Sequence, residues 1–290
     1  MLKREWIYGW LLILPALSLI FLFTHFPAAM TLINSVFSTP RGGKDAHFVG
    51  LANYERLIHD PVFWKVLVNN LWYALGTIPV SIALALLMAL LVNRPFKGRA
   101  LARMAFFTPT ILPLIAVANI WLFFYTPGFG LIDQILGFFG FGQTNLLGTP
   151  SSALPAIMVV AIWKEAGFFM IFYLAALQSI PLQLAEAARI EGAGRWTIFR
   201  RITFPLLMPT TLFVSINAVI NAFRLVDHIF ILTGGGPGNA SSLLLYYIYE
   251  TSFRFWDTAY GATLTVVLLS LLCLLAVGQF FLFDRKVHYK

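Results

Sequence analysis

The sequence predicts an all-α integral membrane protein with six transmembrane helices, and three observations predict it. The chain of 290 residues is 59% hydrophobic and 11% charged, with a mean hydropathy of +0.81. Soluble domains lie near 45–50% apolar and about 25% charged, and an excess of this size cannot be hidden in one water-surrounded core. Phe alone occurs 28 times; lipid tolerates exposed Phe and water does not. The apolar residues also gather into long runs, and the basic residues fall between them.

A span needs about 20 predominantly apolar residues. Six runs qualify, at about 9–31, 66–92, 104–126, 154–180, 206–232 and 260–283. The first follows Lys3 and Arg4 but is too long for the apolar region of a signal peptide, and no small-residue cleavage site closes it, so it reads as a retained anchor. Between spans one and two, "LANYERLIHDPVFWKVL" reads as an amphipathic stretch lying along the membrane surface, with Trp64 at the interface. Residues 127–152 are Gly-rich, with a short interfacial helix over 131–139. No period repeats along the chain.

Lys and Arg orient the spans. With the N-terminus inside, the inner segments hold Lys3, Arg4, Arg94, Lys97, Arg99, Arg103, Arg189, Arg195, Arg200, Arg201, Arg285, Lys286 and Lys290. The outer segments hold Arg41, Lys44, Arg56, Lys65 and Arg254. Both termini and the loop 181–205 are therefore expected in the cytoplasm. The net charge of +8 is explained by orientation, and nucleic-acid binding is not expected. The single Cys273 excludes an internal disulfide and any cysteine metal cluster. The five His residues are scattered, without a metal-ligand or hydrolase spacing, so neither a metal site nor an enzyme is expected.

The loop 181–205 is a charged island between apolar flanks, "EAARIEGAGRWTIFRRITFP". Leu182 to Glu191 has no breaker and reads as a short helix, with Pro181 in its first turn and Gly192 and Gly194 ending it. Ala185, Ala187 and Ala188 make it slim, and Glu186, Arg189 and Glu191 rim it with charge. A helix of this kind suits another protein's groove better than a bilayer surface, where a bulky apolar face and a basic polar face are usual.

These residues carry a resemblance. Glu186-Ala187-Ala188, then Gly192 after three intervening residues, Ile202 after nine more and Phe204-Pro205 match the signature of permease subunits of ATP-binding-cassette importers, with Phe204 where the family usually has Leu. "AALQSIP", "FPLLMPT", "LTGGGPGNASSLLLYYIYETSF" and "FVGLANYERLIHDPVFWKVLVNNLWY" resemble the carbohydrate-uptake branch, which includes maltose, oligosaccharide and glycerol-phosphate permeases. This chain resembles the F-type (A-type) first permease of the pair, without large extra insertions.

The resemblance implies a type I importer permease fold. It implies that Glu186, Ala187, Ala188, Glu191 and Gly192 form a coupling helix seated in an ATPase cleft, with Glu186 poised for a salt bridge there. It also implies the partners: a second (G-type or E-type) permease, two ATPase subunits and an extracytoplasmic solute-binding protein, in a bacterial or archaeal inner membrane. ATP and Mg belong to the ATPase; this chain lacks a G-x-x-x-x-G-K-[ST] loop, and "GGGPG" at 234–238 reads as a tight turn. No cofactor is expected on this chain.

Ionisable groups at membrane depth are expected to be paired or functional. Lys164 and Glu165 lie in the fourth span. Asn217, Asn221, Arg224 and His228 recur at helical spacing in the fifth, and Asp227 is within reach of Arg224. The resemblance implies solute contacts near Glu165 and Phe168 and at Ala218, Asn221, Ala222 and Leu225. Two readings of Lys164, Glu165, Arg224 and Asp227 stand: ion pairs that neutralise one another or brace the partner permease, or a solute path. A neutral sugar or polyol leads; an anionic solute facing Arg224, such as glycerol phosphate or an acidic sugar, is second. A stand-alone secondary transporter is the rival of a different class, disfavoured because no internal repeat is found.

Overall fold

The computed structural model describes residues 2–284 except 41, 44 and 141. Arg41, Lys44, Arg285, Lys286 and Lys290 of the orientation count lie outside the described residues. The architecture is all-α: the β pairing among the described residues is one isolated bridge, Phe37 to Phe48. Five helical stretches are long and apolar enough to cross a membrane, and a bent pair, Arg99–Ile111 with Leu114–Phe124, makes six if it counts as one span.

The chain divides into two units, Met1–Pro61 with Tyr247–Ser270, and Val62–Tyr246 with Leu271–Lys290. In the first unit, α1 (Leu2–Ile20) runs through a π turn (Phe21–His25) into α2 (Phe26–Asn34). The resulting span Tyr8–Asn34 has no buried residue in its most apolar window. A helix apolar on all sides and exposed on all sides is a lipid-facing helix. The rest of the unit is knitted by polar contacts. Asp257 accepts from Thr39 Oγ1 at 2.6 Å and Arg56 Nη1 at 2.8 Å, and the Arg56 guanidinium lies 4.0 Å above the Tyr260 ring. Tyr247 and Tyr260 both donate to Asp60, each at 2.6 Å.

The stretch expected to lie whole on the membrane surface is divided. α3 (Ala52–Ile58) closes at His59, and α4 (Pro61–Asn93) starts afresh and continues unbroken as the second span. Pro61 causes the division, because proline starts a helix readily and cannot extend one that already needs its N–H.

In the second unit α4 is built inside out. Asn70, Tyr73, Thr77 and Ser81 form a buried polar stripe at spacings of three and four, continued by Ala85 and Ala89, while Trp72, Leu75, Leu87 and Leu91 are exposed. In lipid the apolar side chains have nothing to gain by facing inward, and the polar ones do. The core joins α4 to α8 (Pro150–Ser179) and α12 (Met208–Arg224) through Ala85, Ala89, Phe169, Tyr173, Val214 and Ala218.

Two expected spans are broken. The third consists of α5 (Arg99–Ile111) and α6 (Leu114–Phe124), bent by 103°. Pro113 lacks the N–H that would continue α5. The fifth consists of α12 and α13 (Asp227–Leu232), parted where Leu225 turns extended. α5 packs on α8 at Gly167, where a Cβ would press on the Phe106 carbonyl oxygen. α14 (Leu244–Tyr249) and α15 (Thr258–Asp284) complete the chain.

Between α6 and α8 the expected short helix is present as α7 (Leu131–Phe138). Its Asp133 carboxylate holds the loop together, accepting from the Gly128 N–H (2.7 Å), the Thr144 N–H (2.7 Å) and Thr144 Oγ1 (2.9 Å). The hydrogen bonds from Thr144 and Gly128 hold this carboxyl below the usual carboxylate range.

Two outcomes are expected. Gly167→Ala forces α5 off α8 and costs about 1–3 kcal/mol, as overpacking does; thermal unfolding in detergent reads this, and an unchanged midpoint refutes the close-approach role. Because the Asp133 pKa is depressed by folding, its contribution is full above the ordinary value of about 3.9 and is lost as pH falls through the depressed one. Amide protection at Gly128 and Thr144 should therefore hold at neutral pH and fall on strong acidification. Asp133→Asn should lose protection already at neutral pH; equal protection in both chains would remove the carboxylate from this role.

Candidate functional site

α8 and α12 face each other across a cavity of about 250 Å³ lined by Thr110, Leu114, Lys164, Glu165, Phe168, Asn221 and Leu225. Small-ligand sites run from roughly 300 to 1,000 Å³, so the cavity lies near the lower end. A narrower recess of about 20 Å³, room for about one water, shares the Glu165–Asn221 wall and reaches Ala218, Ala222, Tyr73, Ser81 and His228. Glu165, Asn221 and Leu225 line both spaces, Phe168 lines only the larger cavity, and Ala218 and Ala222 line only the recess. Asn221 Nδ2 donates to Glu165 Oε2 at 2.7 Å, a bond that orients both groups.

Asn217 and Arg224 do not line it. Asn217 bonds its own helix, donating to the Phe213 carbonyl at 2.8 Å, and Arg224 is exposed. His228 does not share their face either: the break at Leu225 rotates α13, and His228 is buried with Nε2 2.9 Å from the Tyr73 hydroxyl. Its Nδ1 is buried without a hydrogen-bond partner.

The intramembrane charges are not ion-paired as the spacing suggested. Arg224 and Asp227 form no salt bridge, because the helix ends between them and their spacing is no longer helical. Lys164 and Glu165 are adjacent, and neighbours on a helix do not face each other. Lys164 Nζ instead donates to the carbonyls of Pro109 (3.0 Å), Thr110 (3.4 Å) and Leu112 (2.6 Å). Pro113 leaves the Pro109 carbonyl without its helical donor, and the bend leaves the others open. The break in the fifth span is served likewise: Asn70 Nδ2 donates to the Ala222 carbonyl at 3.4 Å, and Asn70 Oδ1 accepts from the Leu244 N–H at 2.9 Å.

Asn69, Asn70, Tyr73, Thr77 and Ser81 were not among the expected site residues. Their three-and-four spacing inside an apolar run was the signal that could have found them. Asn69 and Lys65 hold the "GGGPG" turn, donating to the carbonyls of Asn239 (2.8 Å), Ser242 (3.0 Å) and Gly238 (2.7 Å).

The second candidate element is α9 (Leu182–Ile190). Its end is closed by the Ala193 N–H to the Ala188 carbonyl (2.9 Å) and the Gly192 N–H to the Arg189 carbonyl (3.0 Å), the paired bonds of a Schellman motif. Gly192 has φ +83° and open space around it. Glu186 and Ala187 are exposed and Ala188 half-buried. Leu182, Glu186 and Ile190 share a face, and the two apolar ends of that face are 75% and 89% exposed. α9 is followed by α10 (Arg195–Ile198), a π turn (Phe199–Thr203) and α11 (Phe204–Leu206).

Lys164→Met leaves the bent span's carbonyls unpaired at membrane depth. An unsatisfied buried group costs about 1–3 kcal/mol, and this loss of stability should appear in denaturant unfolding in micelles. Unaltered stability would show that the break needs no cap.

The model of the binding-protein-dependent transport system inner membrane component family matches residues 81–289. The sulfoquinovosyl glycerol transport system permease protein SmoG of Agrobacterium fabrum is 35% identical over 92% of this chain and 87% of that protein. The trehalose/maltose transport system permease protein MalF of Thermococcus litoralis is 35% identical over 96% of this chain and 95% of that protein. The sn-glycerol-3-phosphate transport system permease protein UgpA of Yersinia enterocolitica is 32% identical over 97% and 95%. The fold matches a crystal structure of a bacterial ABC transporter involved in the import of the acidic polysaccharide alginate, with a TM-score of 0.86 at 23% identity over 98% of this chain and 96% of that one. The chain belongs to the family of inner membrane components of binding-protein-dependent transport systems.

Proposed function

We propose that this chain is a non-catalytic permease subunit of an ATP-driven importer, carrying a sugar or sugar-like solute delivered by an extracytoplasmic binding protein. The observation that carries the reading is α9. It lies between the fourth and fifth spans, its end is locked at Gly192, and its Leu182–Glu186–Ile190 face is uncovered. An exposed apolar face flanking one carboxylate suits a protein groove with a basic residue in it. Closure of two ATPase subunits on ATP would pull such a helix and rock the spans attached to it. ATP and Mg are held by those subunits, and a second permease completes the core. The excess of Lys and Arg beside α9 supports a cytoplasmic position for this loop and for both termini.

Solute passage is assigned to the cavity between α8 and α12. Glu165 and Asn221 offer hydrogen-bond acceptors and donors and Phe168 offers a ring face, while Ala218 and Ala222 line only the adjoining recess. Lys164 is engaged with carbonyls, which supports a neutral hydroxylated solute. An anionic solute is the second reading, favoured by the names of two relatives and by exposed Arg224.

Purification of the tagged chain in mild detergent should recover an ATPase, a second permease and, in proteoliposomes, uptake that requires ATP and a binding protein. A chain recovered alone that moves solute without ATP would replace this reading with a secondary transporter. Titration of the binding protein with neutral and anionic sugars separates the two solute readings. Gly192→Asp adds a negative charge at the C-terminal end of α9, the wrong sign for the helix dipole. It should lower uptake at least tenfold while ATP hydrolysis persists. Gly192→Asn also tolerates positive φ without the charge and should keep most uptake. Normal uptake by Gly192→Asp at normal expression would sink the coupling role.

A further inference from the structure

A groove of about 670 Å³ opens beside α9, built from the end of α4 and the segment 189–203. Its apolar side is Leu87 and Leu90 in the last turns of α4, with Leu87 63% exposed. Its polar side is three arginines, Arg94, Arg189 and Arg195, all exposed. Trp196, 70% exposed, also lines it and stacks on Phe199 with ring centroids 5.5 Å apart. Among the described residues no acidic side chain lines the groove. Elsewhere Arg56 is paired with Asp257 and Arg254 with Glu250, each at 2.8 Å; among the described residues Arg94, Arg189 and Arg195 form no salt bridge.

An occupant must therefore be apolar at one end and anionic at the other. The apolar wall is the end of a membrane-spanning helix, so the acyl region of the bilayer is continuous with it. The guanidiniums sit just beyond that end, where phosphates of a leaflet lie, and guanidinium matches phosphate in a two-pronged geometry. An indole at the same level is the usual interfacial anchor. We propose that this groove is a binding site for an anionic phospholipid, with its headgroup phosphate on Arg94, Arg189 and Arg195 and the upper part of an acyl chain on Leu87 and Leu90. Basic pockets between spans bind anionic headgroups in this manner. The inference does not depend on which solute the cavity takes.

Trp196 supplies the readout. The chain, purified with whatever subunits accompany it, is titrated in mixed micelles with brominated phosphatidylglycerol or brominated phosphatidylcholine. The quenching lost in Trp196→Phe isolates the groove's signal. Phosphatidylglycerol should quench Trp196 at lower mole fraction than phosphatidylcholine. Arg94→Gln and Arg195→Gln should each weaken that preference roughly fivefold, while Arg94→Lys and Arg195→Lys, which keep the charge and lose the two-pronged geometry, should weaken it less and report that the fold is intact. Equal quenching by the two lipids, or a preference unchanged in the Arg94→Gln/Arg195→Gln chain, would overturn the proposal. Quenching that occurs in the isolated chain but vanishes in the complex would mean that a partner protein's acidic surface covers the groove, and would overturn it too.

Discussion

A backbone carbonyl inside a membrane has no water to turn to, and the whole of the second unit is arranged around that fact. Unbroken helices meet it by themselves; broken ones do not. This chain breaks two spans, at 111–114 and at 225–226, and in each case a side chain from a neighbouring helix reaches the freed carbonyls. Lys164 on α8 serves Pro109, Thr110 and Leu112. Asn70 on α4 serves Ala222 and also receives the Leu244 N–H. A long flexible ammonium suits several carbonyls spread around a bend, and a short amide suits one acceptor and one donor across a tight contact.

These caps explain why the polar residues lie where they do. The buried stripe of α4, the small residues of α8 and the carbonyl end of α12 face one interior, while Trp72, Leu75, Leu87 and Leu91 of α4 face out. Without a hydrophobic drive between helices, close packing and hydrogen bonds hold them together. Gly167 against the Phe106 carbonyl oxygen is the packing part, and Asn70, Tyr73, Lys164 and Asn221 are the hydrogen-bonding part. The breaks also open the cavity: Leu114 and Leu225, one at each break, both line it. The proposed solute path thus follows from the same interruptions that make the caps necessary.

The second unit also exposes α9, a helix locked at its end by Gly192 with apolar residues at both ends of an uncovered face. Local bonds fix its shape and no residue of it is buried. A helix held in shape locally and uncovered outwardly can be pulled by a partner without unpacking a core. Directly beside it, the arginine-lined groove carries charge that no acidic side chain among the described residues pairs. The two surfaces differ in chemistry, one apolar around a carboxylate and the other cationic beside an apolar wall. They therefore suit different occupants.

Composition, run length and the proline and glycine positions were enough to read an all-α membrane protein, its six spans, the short helices at 131–138 and 182–190, and the signature from Glu186 to Pro205. Those properties depend on side-chain solvation and on contacts within a few residues, so they are written locally. The resemblance led to the expectation of solute contacts at Glu165, Phe168, Ala218, Asn221, Ala222 and Leu225, of which Glu165, Phe168, Asn221 and Leu225 line the cavity. The polar stripe of α4 was legible in its spacing but went unread, because an isolated Asn or Ser in an apolar run gives no sign of its partner. Tertiary structure alone decided where the charges are used. Helical spacing put Arg224 beside Asp227 and carried His228 onto the face of Asn217 and Arg224; the break at Leu225 removed both relations, while His228 still reaches the recess that Asn221 lines. Adjacency put Lys164 beside Glu165; the bend at Pro113 drew the ammonium away to three carbonyls. A charge in a low-dielectric interior goes to the strongest partner within reach, and what lies within reach depends on where other helices break, which no local spacing contains.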